Sequence, residues 1–423
     1  MLLSLHWLKE FIPNLKINEE IAESLTSLGL EVSSVIKKQK DLIIDIDLTP
    51  NRGDCLSVYG IARDLNSLFN KKVKYPKVKK LSKINKKKYI QSLDIRICPS
   101  YSCLSISGLN NRIKTPDLIK SRLRSSGIKN INFLVDIINY VMLEIGQPMH
   151  VFDLDKLKLP LSVKYANKTE LFEGLDNNKY KLTKKIPVIS DQSGPIALAG
   201  VLGGQETSTS QKTRNVLIES AFFEPDQIRQ SSKSFRLQTD SSYRYERGVD
   251  PKLPMMALSR VLELIDQFST YDSVSIDSKI SKKLEARNNR RIIIDHNLII
   301  KSLGQDIDKS FILKIFRSLG FDIKVKNTKY TLISPSYRFD IQNEQDIIEE
   351  IARVYGYNNF KSNIPANYIK TLDGKLNISD TLSESLSSRG YTEIISYTML
   401  PRNSQDQIHD NSEIIRLLNP ISE

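Results

Sequence analysis

Ten lysines fall between residues 71 and 88, beside a single proline. Like charges at that density repel one another and leave no apolar stripe, so the stretch reads as a solvated, Lys-rich linker at about 76–89, with RNA contact as the alternative. A second polar and basic break lies at 269–289. A chain of 423 residues is too long for one hydrophobic core. The two breaks therefore divide it into an N-terminal α+β domain at 1–75, a mixed α+β block at 90–268 and a compact unit at 290–360. A further unit begins at 366 and runs to 423. The fold class expected is α+β and multidomain.

No apolar run approaches the roughly 18–20 residues that span a bilayer, and the start from Met1 to Trp7 lacks a basic region followed by an apolar one. The reading is cytoplasmic, with no membrane partner. Cys55, Cys98 and Cys103 have no metal-ligand spacing, and His6, His150, His296 and His409 lie far apart. Reduced structural thiols are expected rather than a zinc site or a disulfide framework. The net charge of +13 suits an RNA partner, but much of the excess is lysine in a chain also rich in Ile and Asn.

Apolar spacing predicts a helix over 17–28, stopped by Gly29, and a strand over 42–48. A helix is expected over 55–69, strands near 93–97, 101–106 and 216–218, and helices over 115–125 and 253–268. Residues 290–357 read as strand, helix, helix, strand, strand, helix. Ile312, Ile315, Phe316 and Leu319 form one face there, and Gly320 ends that helix. An amphipathic helix is expected over 377–388.

The acidic run at 336–350 is the feature closest to chemistry. With a helix opening at Glu344, Asp346, Glu349 and Glu350 share a face, and Asp340 precedes it. Converging carboxylates in a basic chain suit a hard cation such as Mg²⁺. Acids in a first helical turn also complement the macrodipole, so a solvated acidic face is the competing reading. The glycine-rich stretch at 194–206 matches neither a dinucleotide fingerprint nor a P-loop and reads as a tight corner or a close ligand approach. His150 follows Gln147, Pro148 and Met149 near expected turns, and a polar cluster at 238–248 reads as a solvated turn or a pocket lining. No nucleophile elbow and no ATP-binding signature is present.

In order along the chain, these segments resemble bacterial phenylalanyl-tRNA synthetase beta subunits. The resemblance is carried by residues 48–56, 136–140, 144–153, 199–204, 219–223, 239–250, 336–340 and 349–357. It implies that residues 90–268 form a domain hydrolysing tRNA mischarged with tyrosine. His150, Glu219 and Thr239 then match its catalytic positions, and Asn139, Gly203 and Ser241 its substrate contacts. Glu219 would accept the tyrosine hydroxyl, a contact phenylalanine cannot make. Some relatives carry Ala at the position of Ser241, whose hydroxyl should narrow or polarise the pocket. The resemblance further implies a winged-helix-like domain at 290–360 whose Asp340, Asp346, Glu349 and Glu350 hold Mg²⁺ shared with an alpha subunit. The final unit would begin a class II synthetase-like catalytic-type domain that does not activate amino acids. The partners implied are the alpha subunit, in an α₂β₂ assembly, and tRNA(Phe), with ATP used by the holoenzyme. An oligonucleotide-binding insertion common in relatives is expected to be missing near 35–42, and the family's C-terminal domains beyond residue 423. The alternatives are a free-standing deacylase of mischarged tRNA and a non-catalytic RNA-binding scaffold.

Overall fold

In a computed structural model of the chain, residues 1–13, 15–38, 41–69, 73–167, 170–282, 284, 290–362 and 377–401 are described, together with 415, 417, 418 and 420. The chain divides into two compact units, Met1–Lys361 and Ser362–Glu423.

The first segment runs β1 (Leu2–Ser4), α1 (Leu5–Phe11), α2 (Glu20–Ser27), β2 (Glu31–Lys38), β3 (Asp41–Asp47) and α3 (Val58–Phe69). The strands make an antiparallel sheet of order β1-β3-β2. Ser4 starts α1 by accepting from the Trp7 amide, and Gly29 closes the turn after α2 at φ +85°. Helix α3 turns Val58, Ile61 and Leu65 into the core and buries one charged residue with them, Asp64. A short 3₁₀ turn, Gly53–Cys55, leads into α3.

Two five-stranded sheets dominate the central block. One has the order β4-β15-β6-β14-β7, from β4 (Asn85–Lys86), β6 (Ser100–Ser107), β7 (Met149–Asp153), β14 (Val216–Phe222) and β15 (Ser273–Ile280). The other has the order β13-β12-β11-β8-β5, from β5 (Ile90–Leu93), β8 (Leu161–Tyr165), β11 (Pro187–Asp191), β12 (Gly194–Leu198) and β13 (Leu202–Gly203). A hairpin of β9 (Leu171–Glu173) and β10 (Lys179–Lys181) is bridged to the end of the second sheet through Gly174 and Gly204. The helices are α4 (Asp117–Ser125), α5 (Phe133–Ile145), α6 (Pro225–Phe235), α7 (Asp240–Tyr245) and α8 (Leu253–Phe268). Every residue of β14 is buried, because it sits between β6 and β7 in the sheet.

Both expected linkers carry structure. Within 269–289, Ser273–Ile280 is a strand of the first sheet, paired along its whole length with β6. Its Ser, Asp and Lys residues hide it from an apolar pattern, yet Asp277 accepts from the Tyr89 and Ile90 amides and secures it. Positions 283 and 285–289 of that linker lie outside the described residues. The Lys-rich stretch is tied down as well. The Lys79 amide donates to Ser259 at 3.3 Å, Lys77 and Lys79 pair with Glu263 and Asp266 on α8, and β4 runs parallel to β15. Its lysine heads remain largely solvated while the backbone is held, which is how long basic side chains usually lie on a surface.

The segment from 290 follows the expected order: β16 (Arg291–Asp295), α9 (His296–Leu303), α10 (Lys309–Ser318), β17 (Asp322–Lys326), β18 (Lys329–Ile333) and α11 (Glu344–Tyr355). Ile312, Ile315 and Phe316 of α10 meet Leu332, Ile347 and Ile351 in its core. Each such side chain contributes about 1.5–3 kcal/mol by leaving water. Asn343 caps α11 in a reciprocal pair with Asp346.

In the second unit, Asn377 caps α12 (Ile378–Ser388), whose Ile378, Leu382 and Leu386 are exposed. The expected start of that unit at 366 lies outside the described residues.

Candidate functional site

The cleft that gathers most of the expected residues forms where β7, β14, the β12–β13 turn and α7 meet. It is lined by Met149, His150, Gly203, Glu219, Ser241 and Tyr245, among others, and has a volume of about 40 Å³. That is room for one or a few waters.

Strand register builds its floor. Glu219 on β14 stands directly opposite His150 on β7 and Cys103 on β6. The Glu219 Oε2 and His150 Nε2 atoms are buried, and neither finds a hydrogen-bond partner. Burial pushes the Glu219 carboxyl up to about 7, because removal from water penalises its charged form. The same cause lowers His150 to about 4, so its imidazole is neutral at physiological pH. Two uncompensated polar atoms side by side cost the fold stability and suit a ligand able to satisfy them.

Glycine at 203 is a requirement of the site. A Cβ there would lie 2.1 Å from His150 Cε1 and 2.5 Å from Nε2, so the close approach of the β13 backbone to the imidazole depends on a missing side chain. The tight corner foreseen at 194–206 and the close approach to a site are thus one feature. Behind the cleft, the Tyr245 hydroxyl donates to the Pro148 carbonyl at 2.9 Å, and the Gln147 amide donates to the carbonyls of Pro148 and Ala221 at 2.8 and 2.9 Å. These bonds hold the chain on both sides of His150 and Glu219.

Two expected residues lie outside the lining of this cleft. Thr239 does not line the cleft. Its hydroxyl donates to the Val201 carbonyl at 2.9 Å, accepts from the Ser242 amide and caps α7. It therefore positions Ser241 and ties α7 to the glycine turn. Asn139 does not line the cleft either, since it lies on α5, which packs against α3, α4 and α8. Most of the polar cluster at 238–248 is occupied structurally: the buried Arg244 donates to the Leu56 carbonyl and pairs with Asp240. Cys55, Cys98 and Cys103 are buried free thiols.

The acidic run does not form the converging face that its spacing predicted. Glu350 is buried and accepts from Arg338 and Arg353, while Glu349, one position away, is exposed. Asp340 takes two hydrogen bonds from Arg338, at 2.9 and 2.8 Å. Asp346 Oδ2 accepts from the Gln342 and Asn343 amides. Among the described residues no three His, Cys, Asp or Glu side chains gather as metal ligands. The arginines already neutralise the two carboxylates that a cation would need, so in this arrangement the residues do not fit Mg²⁺. The arginine partners were not anticipated, since nothing in their spacing marks them.

Three family models match the chain: the B3/4 domain over residues 97–270, the tRNA synthetase B5 domain over 292–357, and the phenylalanyl tRNA synthetase beta chain CLM domain over 364–423. The class is thus a tRNA synthetase chain. A "Phenylalanine--tRNA ligase beta subunit" of Francisella tularensis is 38% identical over 425 residues, covering 96% of this chain and 52% of that relative. One from Pseudoalteromonas translucida is 38% identical over 90% of this chain and 48% of its own length. One from Acinetobacter baylyi is 35% identical over 93% and 50%. The chain belongs to the family of phenylalanine–tRNA ligase beta subunits. It spans about half the length of the curated relatives it matches. Among solved structures, an N-terminal fragment of the beta subunit from Pyrococcus horikoshii matches with a TM-score of 0.47 and 16% identity, over 84% of this chain and 99% of that one.

Proposed function

We propose that this chain hydrolyses tyrosine wrongly esterified to tRNA(Phe), and that it supports charging of the same tRNA with L-phenylalanine by an alpha subunit in a cytoplasmic α₂β₂ enzyme. Family membership supports the ligase setting. Among the described residues no helix is long and apolar enough to cross a membrane. ATP and Mg²⁺ are assigned to the assembled enzyme, and no step is assigned to a metal on this chain.

The observation that carries the editing reading is the Glu219 carboxyl, buried at the cleft with no ion-pair partner among the described residues. A tyrosyl phenol can donate to it, whereas a phenylalanyl ring would leave it unpaired. Sites that commit a buried polar group in this way discriminate strongly against the analogue lacking the hydroxyl. The neutral His150 imidazole beside it can hold a water and take a proton from it as the water attacks the ester carbonyl, then return that proton to the ribose oxygen of the tRNA as the acyl–oxygen bond breaks. The cleft must widen between the 200–203 turn and Ser241 to admit the aminoacyl group.

The test is release of tyrosine from preformed Tyr-tRNA(Phe) by the chain assembled with an alpha subunit, with Phe-tRNA(Phe) as the control. Fast release from the first ester alone, lost in Glu219→Ala, is the expected result. Equal lifetimes of Tyr-tRNA(Phe) with and without protein would end the editing reading. Failure to assemble with any alpha subunit would end the ligase reading.

A further inference from the structure

Three polar atoms lie buried without a hydrogen-bond partner around one patch of the first sheet: the Tyr101 hydroxyl, Glu219 Oε2 and His150 Nε2. Strand register explains their proximity. Cys103 on β6 stands opposite Glu219 and Tyr101 opposite Ala221, so Tyr101 is the diagonal neighbour of Glu219 on the same face. Diagonal neighbours sit about 7–8 Å apart at the backbone, within reach of an aromatic side chain. Tyr101 is wholly buried and does not line the cleft. It meets Glu219 from the protein interior, on the side a substrate does not reach.

The groups facing Glu219 are few. They are Tyr101 and Cys103 from β6, Cys98 just before that strand, His150 from β7 and Tyr245 from α7. None of them carries a positive charge at neutral pH. Burial drives the carboxyl toward its neutral form, and the Tyr101 phenol is the neighbour whose donation would favour the ionised one. The Tyr245 hydroxyl is already committed to the carbonyls of Pro148 and Ala221.

We propose that Tyr101 is a positioning residue for editing, donating its hydroxyl to the inner oxygen of the ionised Glu219 carboxylate so that the outer oxygen is free to accept a tyrosyl phenol. This role rests on the editing reading of the cleft, although the hydrogen bond itself does not. Both atoms are buried and otherwise unpartnered. The bond is stronger while Glu219 is ionised, and it requires Tyr101 to keep its proton.

The variant is Tyr101→Phe, which keeps the ring and removes one oxygen. It is compared with the unaltered chain, each assembled with its alpha subunit. The KM for Tyr-tRNA(Phe) hydrolysis near pH 7 should rise about tenfold, and the alkaline rise of kcat/KM should move up by about one pH unit. The two proteins should converge near pH 9. An unmoved profile, or an equal loss at every pH, would overturn the proposal. A titration of the ¹³C-labelled Glu219 carboxyl needs no substrate. Its midpoint should rise in Tyr101→Phe, and an identical midpoint overturns the hydrogen bond. Should the unaltered chain not hydrolyse Tyr-tRNA(Phe), the editing reading fails and the titration alone decides the role of Tyr101. Should Tyr101→Phe not fold, the ring-carbon shift of Tyr101 in the unaltered chain must follow the Glu219 titration and lose that step in Glu219→Gln. A shift that ignores Glu219 overturns the proposal equally.

Discussion

Glu350 and Arg338 form a doubly hydrogen-bonded pair, with Nη1 to Oε2 at 2.6 Å and Nη2 to Oε1 at 2.8 Å. Arg353 donates to the same carboxylate and also to Asp64 on α3, which Arg52 reaches as well. Carboxylates and guanidiniums thus alternate from the acidic run near 340–350 back to the first segment of the chain. Planar forks make Arg the residue suited to such buried bidentate pairs. Removing one partner strands the other charge out of water, at a cost of about 3–5 kcal/mol. Glu350→Gln should therefore destabilise the Met1–Lys361 unit by that order, while Glu349→Gln, at an exposed position, stays within about 0.5 kcal/mol of the parent. Urea unfolding of the two variants, with and without Mg²⁺, separates this role from metal binding. A loss in Glu350→Gln that appears only when Mg²⁺ is present would contradict it.

The same network sets an acid limit on stability. Burial of its side chain would raise the Asp54 carboxyl, but Arg52 and Arg338 outweigh that and hold it down to about 2. Its folded value is below the unfolded one near 3.8, so its stabilisation is complete above pH 4 and disappears as pH falls through 2. The contribution is about 2 kcal/mol. Asp54→Asn should flatten the stability curve between pH 4 and 2 relative to the parent. Parallel curves over that range would show that Asp54 does not titrate as stated.

Legibility in the sequence followed local physics. The order of elements from β16 to α11, the bounds of α8 and the opening of α11 at Glu344 could be read because apolar period acts within a few positions. Strand β15 could not, since its polar residues are paired by neighbours far away in the chain, β6 above all. The family resemblance brought forward His150, Gly203, Glu219 and Ser241, which the fold gathers at one cleft, and also Asn139 and Thr239, which it places elsewhere. Tyr101 was visible only as one residue of an expected strand. Its relation to Glu219 depends on the register of two strands more than a hundred residues apart. The arginine partners of Glu350 and Asp340 were missed because charge alone does not tell a metal ligand from half of an ion pair.

Gly203→Ala tests the cleft without touching a titratable group. The added methyl would collide with the His150 ring, which must swing away from Glu219 or push the β12–β13 turn outward. Hydrolysis of Tyr-tRNA(Phe) should fall by about a hundredfold, in keeping with the sensitivity of catalysis to displacements of about 1 Å. Phenylalanine charging by the assembled enzyme should be unaffected. Deacylation and charging measured on one preparation give the comparison, and a parallel fall in both would point to misfolding instead.

Glu219 also makes a prediction about stability, opposite in sign to that for Asp54. Burial raises its folded value to about 7 from 4.5, so its neutral form is the one the fold tolerates. Such a group costs nothing below the unfolded value, and its penalty grows as pH rises from about 4.5 to 7. Above pH 7 the penalty is roughly 3 kcal/mol. Glu219→Gln, uncharged and nearly the same shape, should match the parent at pH 4 and exceed its stability by roughly that amount at pH 8. The same variant should lose discrimination between Tyr-tRNA(Phe) and Phe-tRNA(Phe), because its amide no longer presents a carboxylate to the phenol. Denaturant melts at the two pH values would decide it. A variant no more stable than the parent at pH 8 would mean that Glu219 is already satisfied in the free protein, and that the cleft holds no unpaired acceptor for a substrate to meet.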